Sequence, residues 1–396
     1  MRPRMTVEDY RAAARRRLPH LVFDYVDGGA ESEETVRANC EAFRQVSFRP
    51  RAGASRVTSE SLEVTVVGDR LSLPVLLAPC GGARIVQPQG DLAGARAAGN
   101  AGTTFVLSAM SGHGIEEVAA AAAGSVWFQL YDLGGRGPTR RAVERAAQAG
   151  VRVLMITMDT AATALRERDR RNGLDRLLGG SRLRAVPRFL PFLAKPRWLV
   201  QRLGDGLAPP LANVVDDEGR ARTLGSGFVP RSLGWGDLAW IREVWEGPIV
   251  VKGILAPDDA ERAVASGASA IVVSNHGGRQ LDGSEATLRA LREIVQAVGG
   301  SCDVLLDGGI RSGTDVLKAL ALGAQAVLIG RPWIYGLAVA GQRGVEAVLE
   351  LFRESLARNL ALLGCGDVQK VSAKHVRVPA GWLDGPALTC DRAEVR

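Results

Sequence analysis

Eight short apolar runs dominate the chain: Val75–Ala78, Thr104–Leu107, Val126–Leu130, Val153–Thr157, Ile249–Lys252, Ala270–Ser274, Val304–Leu306 and Ala326–Ile329. Each is largely continuous rather than apolar at alternate positions, which predicts strands of a parallel sheet buried on both faces. Segments with helical periodicity lie between most of them, at Asp91–Ala101, Ile115–Ala123, Thr139–Ala149, Pro257–Ser266, Ala286–Val298 and Gly313–Leu322, with Trp235–Trp245 ahead of the fifth run. Most run starts are spaced by roughly 20–35 residues, the length of one strand–helix unit. Eight such units predict an α/β fold, a (β/α)8 TIM barrel. The alternative is a doubly wound open sheet, but no Rossmann glycine fingerprint follows the first run.

Residues 1–396 read as one barrel domain, with 1–70 an N-terminal extension, 177–234 an inserted loop and 383–396 a flexible tail. The extension opens with a helical pattern from Thr6 to Val26, where Thr6 and Asp9 form a capping box, and Gly28-Gly29 ends it. A β-like stretch runs from Leu62 to Val67. Roughly ninety residues separate the fourth and fifth runs, far beyond an ordinary connection. Their centre, SRLRAVPRFLPFLAKPRWLVQRL, is basic and apolar at once, and Pro187, Pro191 and Pro196 prevent one long helix.

Composition excludes several classes. With 46% apolar and 23% charged residues, the chain is neither disordered, coiled-coil nor collagen-like. Its 47 glycines imply many tight turns or close approaches to a ligand. The net charge of +7 favours anionic ligands, while 5% aromatics argue against a nucleic-acid surface. Five scattered cysteines without a CxxC pair read as reduced thiols, hence a cytoplasmic protein, and four histidines argue against a metal site. There is no signal-peptide core and no apolar run near the ~18 residues of a membrane span.

In a barrel, chemistry collects where strands end. Those ends read Pro79-Cys80-Gly81, Ser108, Gln129 with Tyr131, Thr157 with Asp159, Lys252, Ser274-Asn275-His276, Asp307-Gly308-Gly309 and Gly330-Arg331. DGGIRSG (Asp307–Gly313) before a helix and Gly330-Arg331 after the last run predict a phosphate site, since glycines admit backbone N–H groups and helix starts favour anions. SNHGGRQLDG (Ser274–Gly283) offers an imidazole to take a proton and a guanidinium to grip a carboxylate. Lys252 and Asp159 both require partners where they stand, and Asp159 is placed to orient His276 and favour its protonated form. Arg166 is a second carboxylate clamp or a plainly solvated loop residue.

Together these segments resemble the FMN-dependent α-hydroxy-acid oxidase/dehydrogenase family. SNHGGRQLDG is close to its signature, LLDGGIRSGTDVLKALALGAQAVLIGRP matches its phosphate block, and FDYVDGGAE matches near the N-terminus; the resemblance runs from about Leu18 to Gly364 apart from the insertion. It implies FMN across the barrel mouth, beside Pro79, Cys80 and Gly81, hydrogen-bonded by Ser108, Gln129 and Thr157, with Ser274 and Lys252 near the ring. Asp307, Gly308, Gly309, Arg311, Gly330 and Arg331 would hold ribityl and phosphate. Tyr25, Tyr131, Arg166 and Arg279 would bind the substrate, with His276 as base supported by Asp159. The implied reaction takes an L-2-hydroxy acid to the 2-keto acid, with hydride passing to flavin N5; a carbanion route uses the same residues. The electron acceptor (quinone, oxygen or carrier protein) stays open, and a homotetramer or other homo-oligomer is implied.

The chain departs from the family pattern at Pro79-Cys80-Gly81, where Pro-Thr-Ala is common, which resembles the dehydrogenase or monooxygenase branches. It departs again at Ala161–Leu165, where one of two arginines is lost although the spacing from Asp159 to Arg166 is kept. Met110 and Thr163 fall in the family's side-chain pocket and leave room for something larger than glycolate. A modified peptide or other biosynthetic intermediate is the alternative substrate. An inosine monophosphate dehydrogenase-like barrel would need a loop cysteine, and Cys302 is badly placed for it. The 177–215 segment carries Arg182, Arg184, Arg188, Lys195, Arg197 and Arg202 beside Phe189, Leu190, Phe192, Leu193, Trp198, Leu199 and Leu203. It reads either as a lid packed on the barrel or as a peripheral anchor on an anionic membrane surface.

Overall fold

The computed structural model describes residues 4–53, 56–173, 190–202, 204–205, 209–215, 221–223 and 231–382. All eight apolar runs become strands: β1 (Val75–Leu77), β2 (Phe105–Ser108), β3 (Val126–Leu130), β4 (Val153–Thr157), β5 (Ile249–Ile254), β6 (Ala270–Val273), β7 (Asp303–Leu306) and β8 (Ala326–Ile329). They pair in parallel in chain order, and β8 returns to β1 with Val327, Leu328 and Ile329 opposite Val75, Leu76 and Leu77. The sheet is a closed barrel, which excludes the open-sheet alternative. Every residue of β1 to β4, β6 and β8 is buried, which is why these runs do not alternate. The helix Thr287–Val298 buries a stripe of Leu288, Leu291, Ile294 and Val298 before Gly299 ends it at φ +58°.

The N-terminal extension differs from its sequence pattern. The capping box forms, with Asp9 N donating to Thr6 Oγ1 at 3.1 Å and Thr6 N to Asp9 Oδ2 at 3.0 Å. The single helix expected over Thr6–Val26 is instead two, Val7–Arg17 and His20–Asp27. Pro19 forces the break: it disfavours a helical Leu18, which is extended at ψ 149°. The β-like stretch pairs as a hairpin, Val64–Val66 with Asp69–Leu71. It closes the amino end of the barrel, since Val67 N donates to Asp303 at the start of β7 and Trp127 Nε1 donates to Asp69. After β8 come two helices, Arg331–Ala340 and Gln342–Leu362. They touch through Gly336 and Gly344, where a Cβ on either would collide with the other's carbonyl.

Within the insertion, short helices Leu190–Leu193 and Pro196–Arg202 and the pair Pro210–Val215 with Ala221–Thr223 are described. Phe192 stacks on Trp198 at 5.3 Å, both are buried, and Trp198 Nε1 donates to the Ile85 carbonyl at 3.1 Å. Lys195 Nζ reaches the Arg16 carbonyl, and Arg202 reaches that of Arg84. Phe192 and Trp198 are therefore not available to lipid, because the barrel rim already buries them; Leu193 and Val200 stay exposed. Arg182, Arg184, Arg188, Phe189, Leu203 and the 383–396 tail lie outside the described residues. Among the described residues no helix is long and apolar enough to cross a membrane.

Candidate active site

At the carboxyl ends of the strands a cavity of about 320 Å³ opens. Of the residues singled out in the sequence as site candidates, all but Gln129, Asp159 and Ser274 line it, and those three stand directly behind residues that do.

Its floor is polar. Lys252 Nζ, late in β5, donates to Ser274 Oγ at 2.7 Å and pairs with Asp307 Oδ2 at 3.0 Å. Burial lowers the lysine pKa, but the Asp307 and Asp159 carboxylates outweigh it, so the ammonium is held above its ordinary range. Ser108 Oγ fixes Gln129 by donating to Oε1 at 3.2 Å. That leaves Gln129 Nε2, Thr157 Oγ1 and Asp307 Oδ1 buried without a hydrogen-bond partner. A buried orphan costs about 1–3 kcal/mol, so several around one cavity mark the place of a polar ligand. A donor amide, a hydroxyl of either sense, a carboxylate acceptor and a fixed cation fit the mixed edge of a flavin ring and the hydroxyls of its ribityl chain.

The predicted phosphate cradle is partly corrected. Asp307 suits the ribityl end rather than the phosphate: its Oδ2 pairs with Lys252, its Oδ1 is left as an acceptor for a hydroxyl, and its charge would repel a phosphate. Gly308 and Gly309 are glycines because of packing, since at φ +81° a Cβ on Gly309 would collide with the Asn39 carbonyl. Gly330 faces the cavity with nothing nearer to a Cβ than Cys80 Sγ at 3.5 Å. Arg331 starts the next helix and donates to the carbonyls of Asp27, Gly277 and Gly28 at 3.0, 2.8 and 2.8 Å. Burial pushes its pKa down to about 10, which leaves it charged at neutral pH. With Arg311 also lining the cavity, two guanidinium charges stand beside the start of Arg331–Ala340, an arrangement that suits phosphate.

On the outer side stands His276, whose φ of +57° holds its backbone in the left-handed region. Its Nδ1 meets Asp159 Oδ1 at 2.9 Å, which leaves Nε2 for the cavity. Burial alone would raise Asp159, but His276 and then Lys252 outweigh it and hold the carboxyl below its usual range. The guanidinium carbons of Arg279 and Arg166 lie 5.3 and 5.9 Å from the Tyr25 ring centre. Arg166 Nε is buried without a partner, and the Arg279 charge, followed by burial, lowers its pKa to about 10. Arg279 also donates to the Gly28 carbonyl at 2.7 Å, so two like charges on one ring, one with an orphaned N–H, make a place suited to an anion. Tyr25 donates to the Gly81 carbonyl at 3.1 Å, and burial and then Asp159 keep Tyr131 protonated.

Sequence reasoning missed what holds this loop. Asn39 and Asn275 exchange reciprocal amide hydrogen bonds of 2.8 Å each. Asp282 accepts from Ser32 Oγ, Glu34 N and Thr35 N, and Ala30 N donates to the Gly278 carbonyl. The N-terminal extension thus clasps the His276 loop. Asn275 and Gly28-Gly29 stood inside conspicuous segments, whereas Asn39 gave no local signal. Cys302 precedes β7, at the opposite end of the barrel from the cavity, and burial raises its thiol to about 11; Cys80 lines the cavity and burial raises it to about 12. Neither supplies a thiolate nucleophile.

The FMN-dependent dehydrogenase family profile matches residues 14–378. The chain is 43% identical over 375 residues to an L-lactate dehydrogenase of Pseudomonas syringae pv. syringae, covering 93% of this chain and 97% of that one. An L-lactate dehydrogenase of Pectobacterium atrosepticum is 42% identical over 385 residues, covering 95% and 98%. Among solved structures, the monotopic membrane protein (S)-mandelate dehydrogenase superposes with a TM-score of 0.85 at 37% identity, covering 96% of this chain and all of that one. The chain belongs to the FMN-dependent dehydrogenase family. It is an FMN-dependent α-hydroxy-acid oxidoreductase.

Proposed function

We propose that the oxidation of an L-2-hydroxy acid to its 2-keto acid is carried out here with His276 as the base and Arg166 and Arg279 as the carboxylate clamp. The observation that carries this reading is the His276–Asp159 pair facing two arginines across Tyr25. FMN, when bound, supplies the two-electron acceptor. The arginines fix the substrate carboxylate, so its hydroxyl and α-carbon come within reach of His276. Nε2 takes a proton from the substrate, and Asp159 balances the imidazolium that forms. Lys252, charged and shared by Ser274 and Asp307, supports negative charge arising at the cavity floor.

Met110 and Thr163, where the resemblance puts the substrate's side chain, line the cavity, as do Val86 and Ala162, and none of the four is aromatic. That lining, and the lactate and mandelate enzymes among the relatives, support an acid between lactate and mandelate in size. The modified-peptide alternative gains no support from them. Steady-state kcat/KM for L-lactate, longer aliphatic L-2-hydroxy acids, (S)-mandelate and their enantiomers tests this; turnover of the D-acids at comparable rates would contradict it. Peripheral docking on an anionic membrane is supported by exposed Leu193 and Val200 and by the monotopic mandelate dehydrogenase. Its mark is co-sedimentation with anionic vesicles that salt abolishes.

A further inference from the structure

The insertion leaves the barrel beyond Asp159, yet its described part is anchored across the mouth, on the segment that follows β1. Gly81, Gly82, Ala83 and Val86 of that segment line the cavity, and Ala83–Val86 is a helix of only four residues. So short a helix has no stability of its own, so its position is set by what packs on it.

The barrel side supplies Gly112, whose carbonyl accepts from Arg84 Nη1 at 2.5 Å, and Tyr25, whose hydroxyl donates to the Gly81 carbonyl at 3.1 Å; the other side-chain partners of the helix come from the insertion. Asp205 receives Arg84 Nε on both carboxylate oxygens at 3.1 Å, and Nη2 on Oδ1 at 2.5 Å. Arg202 donates both to the Arg84 carbonyl at 2.5 Å and to Asp205 Oδ2 at 2.7 Å. Trp198 Nε1, braced by the Phe192 stack, takes the neighbouring Ile85 carbonyl. Behind the segment there is no slack. A Cβ at Gly112 would lie 2.7 Å from Arg84 Cδ, and one at Gly90 would lie 2.7 Å from Arg84 N. Burial raises Asp205, but Arg84 and Arg202 outweigh it, so the carboxylate stays ionised and the pair stays made at neutral pH.

We infer that the Arg84–Asp205 pair, backed by Arg202 and Trp198, is a positioning clamp through which the insertion sets the cavity wall Gly81–Val86. The inference rests on the reading of the cavity as an FMN site. It gives the insertion a role distinct from both a mobile lid and a lipid anchor: whatever displaces the insertion is felt at the wall beside the cofactor.

The test is a double-mutant cycle on the full chain with Asp205→Asn, Arg84→Gln and both together. Two readouts are taken on deflavinated protein: amide exchange at Gly82–Val86, and FMN affinity from quenching of flavin fluorescence. Each single variant is expected to speed exchange in that segment and to weaken FMN binding by about 5–20-fold, with the double variant no worse than the worse single, because both remove one coupling. Arg84→Lys, which keeps the charge but not the fork, should recover part of the affinity. Unchanged exchange and affinity with only a lower melting temperature would overturn the clamp, as would effects that multiply in the double variant. The exchange arm does not depend on the cofactor. Faster exchange in the variants, with wild-type protein that fails to bind FMN, would therefore overturn the cavity's assignment and leave the clamp standing.

Discussion

Replacing Asp159 by Asn keeps the shape of the His276 pair and removes its charge. The partners are 2.9 Å apart, with side-chain exposures of 21% for His276 and 13% for Asp159, so the pair is neither solvated nor deeply dry. An effective dielectric of about 20 then applies, and unit charges centred about 4 Å apart interact by about 4 kcal/mol. Asn retains a neutral hydrogen bond and none of the charge term, so the imidazolium formed during turnover loses roughly 3–4 kcal/mol of support. At ~1.4 kcal/mol per tenfold, flavin reduction should slow by about 10²–10³. KM should not rise, because removing an anion near Lys252 makes the cavity more attractive to a carboxylate. Anaerobic stopped-flow reduction of the bound flavin measures this directly. A variant reduced within about threefold of wild type would refute the assignment of Asp159 as the charge partner of His276.

Asn39→Ala leaves the Asn275 amide and Thr287 N short of partners, so urea unfolding should show a loss of about 2–4 kcal/mol, with slower flavin reduction as the His276 loop loosens. Gly81→Ala places a Cβ 3.0 Å from Met110 Cβ, so KM should rise more for mandelate than for lactate; equal changes would mean Met110 does not line the side-chain pocket. Burial would raise Asp282, but Thr35 N, Glu34 N and the Ser32 hydroxyl outweigh it and bring the carboxyl to about 2. With a depressed folded pKa, its contribution is full above the unfolded value of about 4 and is lost as pH falls through about 2. Thermal melts should therefore show Asp282→Asn less stable than wild type at pH 7, with the gap closing in strong acid.

The barrel was legible because eight runs buried on both faces leave no polar alternation, and the site was legible because polar residues ending such runs need a reason. Gly29 and Gly278 were visible as glycines, but not as two surfaces that close on Val36 from opposite parts of the sequence. The helical pattern runs on through Leu18-Pro19, but the proline breaks it into two helices. The partners of long-range hydrogen bonds, Asn39 with Asn275 and Arg84 with Asp205, carry no periodicity that joins them. The DGG stretch reads as one loop holding ribityl and phosphate together, whereas the fold turns Asp307 toward Lys252 and leaves only its Oδ1 as an acceptor in the cavity.

The central claim is tested most directly by comparing wild-type and His276→Ala protein, each loaded with FMN, mixed anaerobically with an L-2-hydroxy acid. Wild type should lose the flavin's visible band rapidly. The variant should hold FMN as well as wild type does, yet stay yellow for times longer by several orders of magnitude. Reduction of the variant at the wild-type rate, or a wild type that no L-2-hydroxy acid bleaches, would contradict the account.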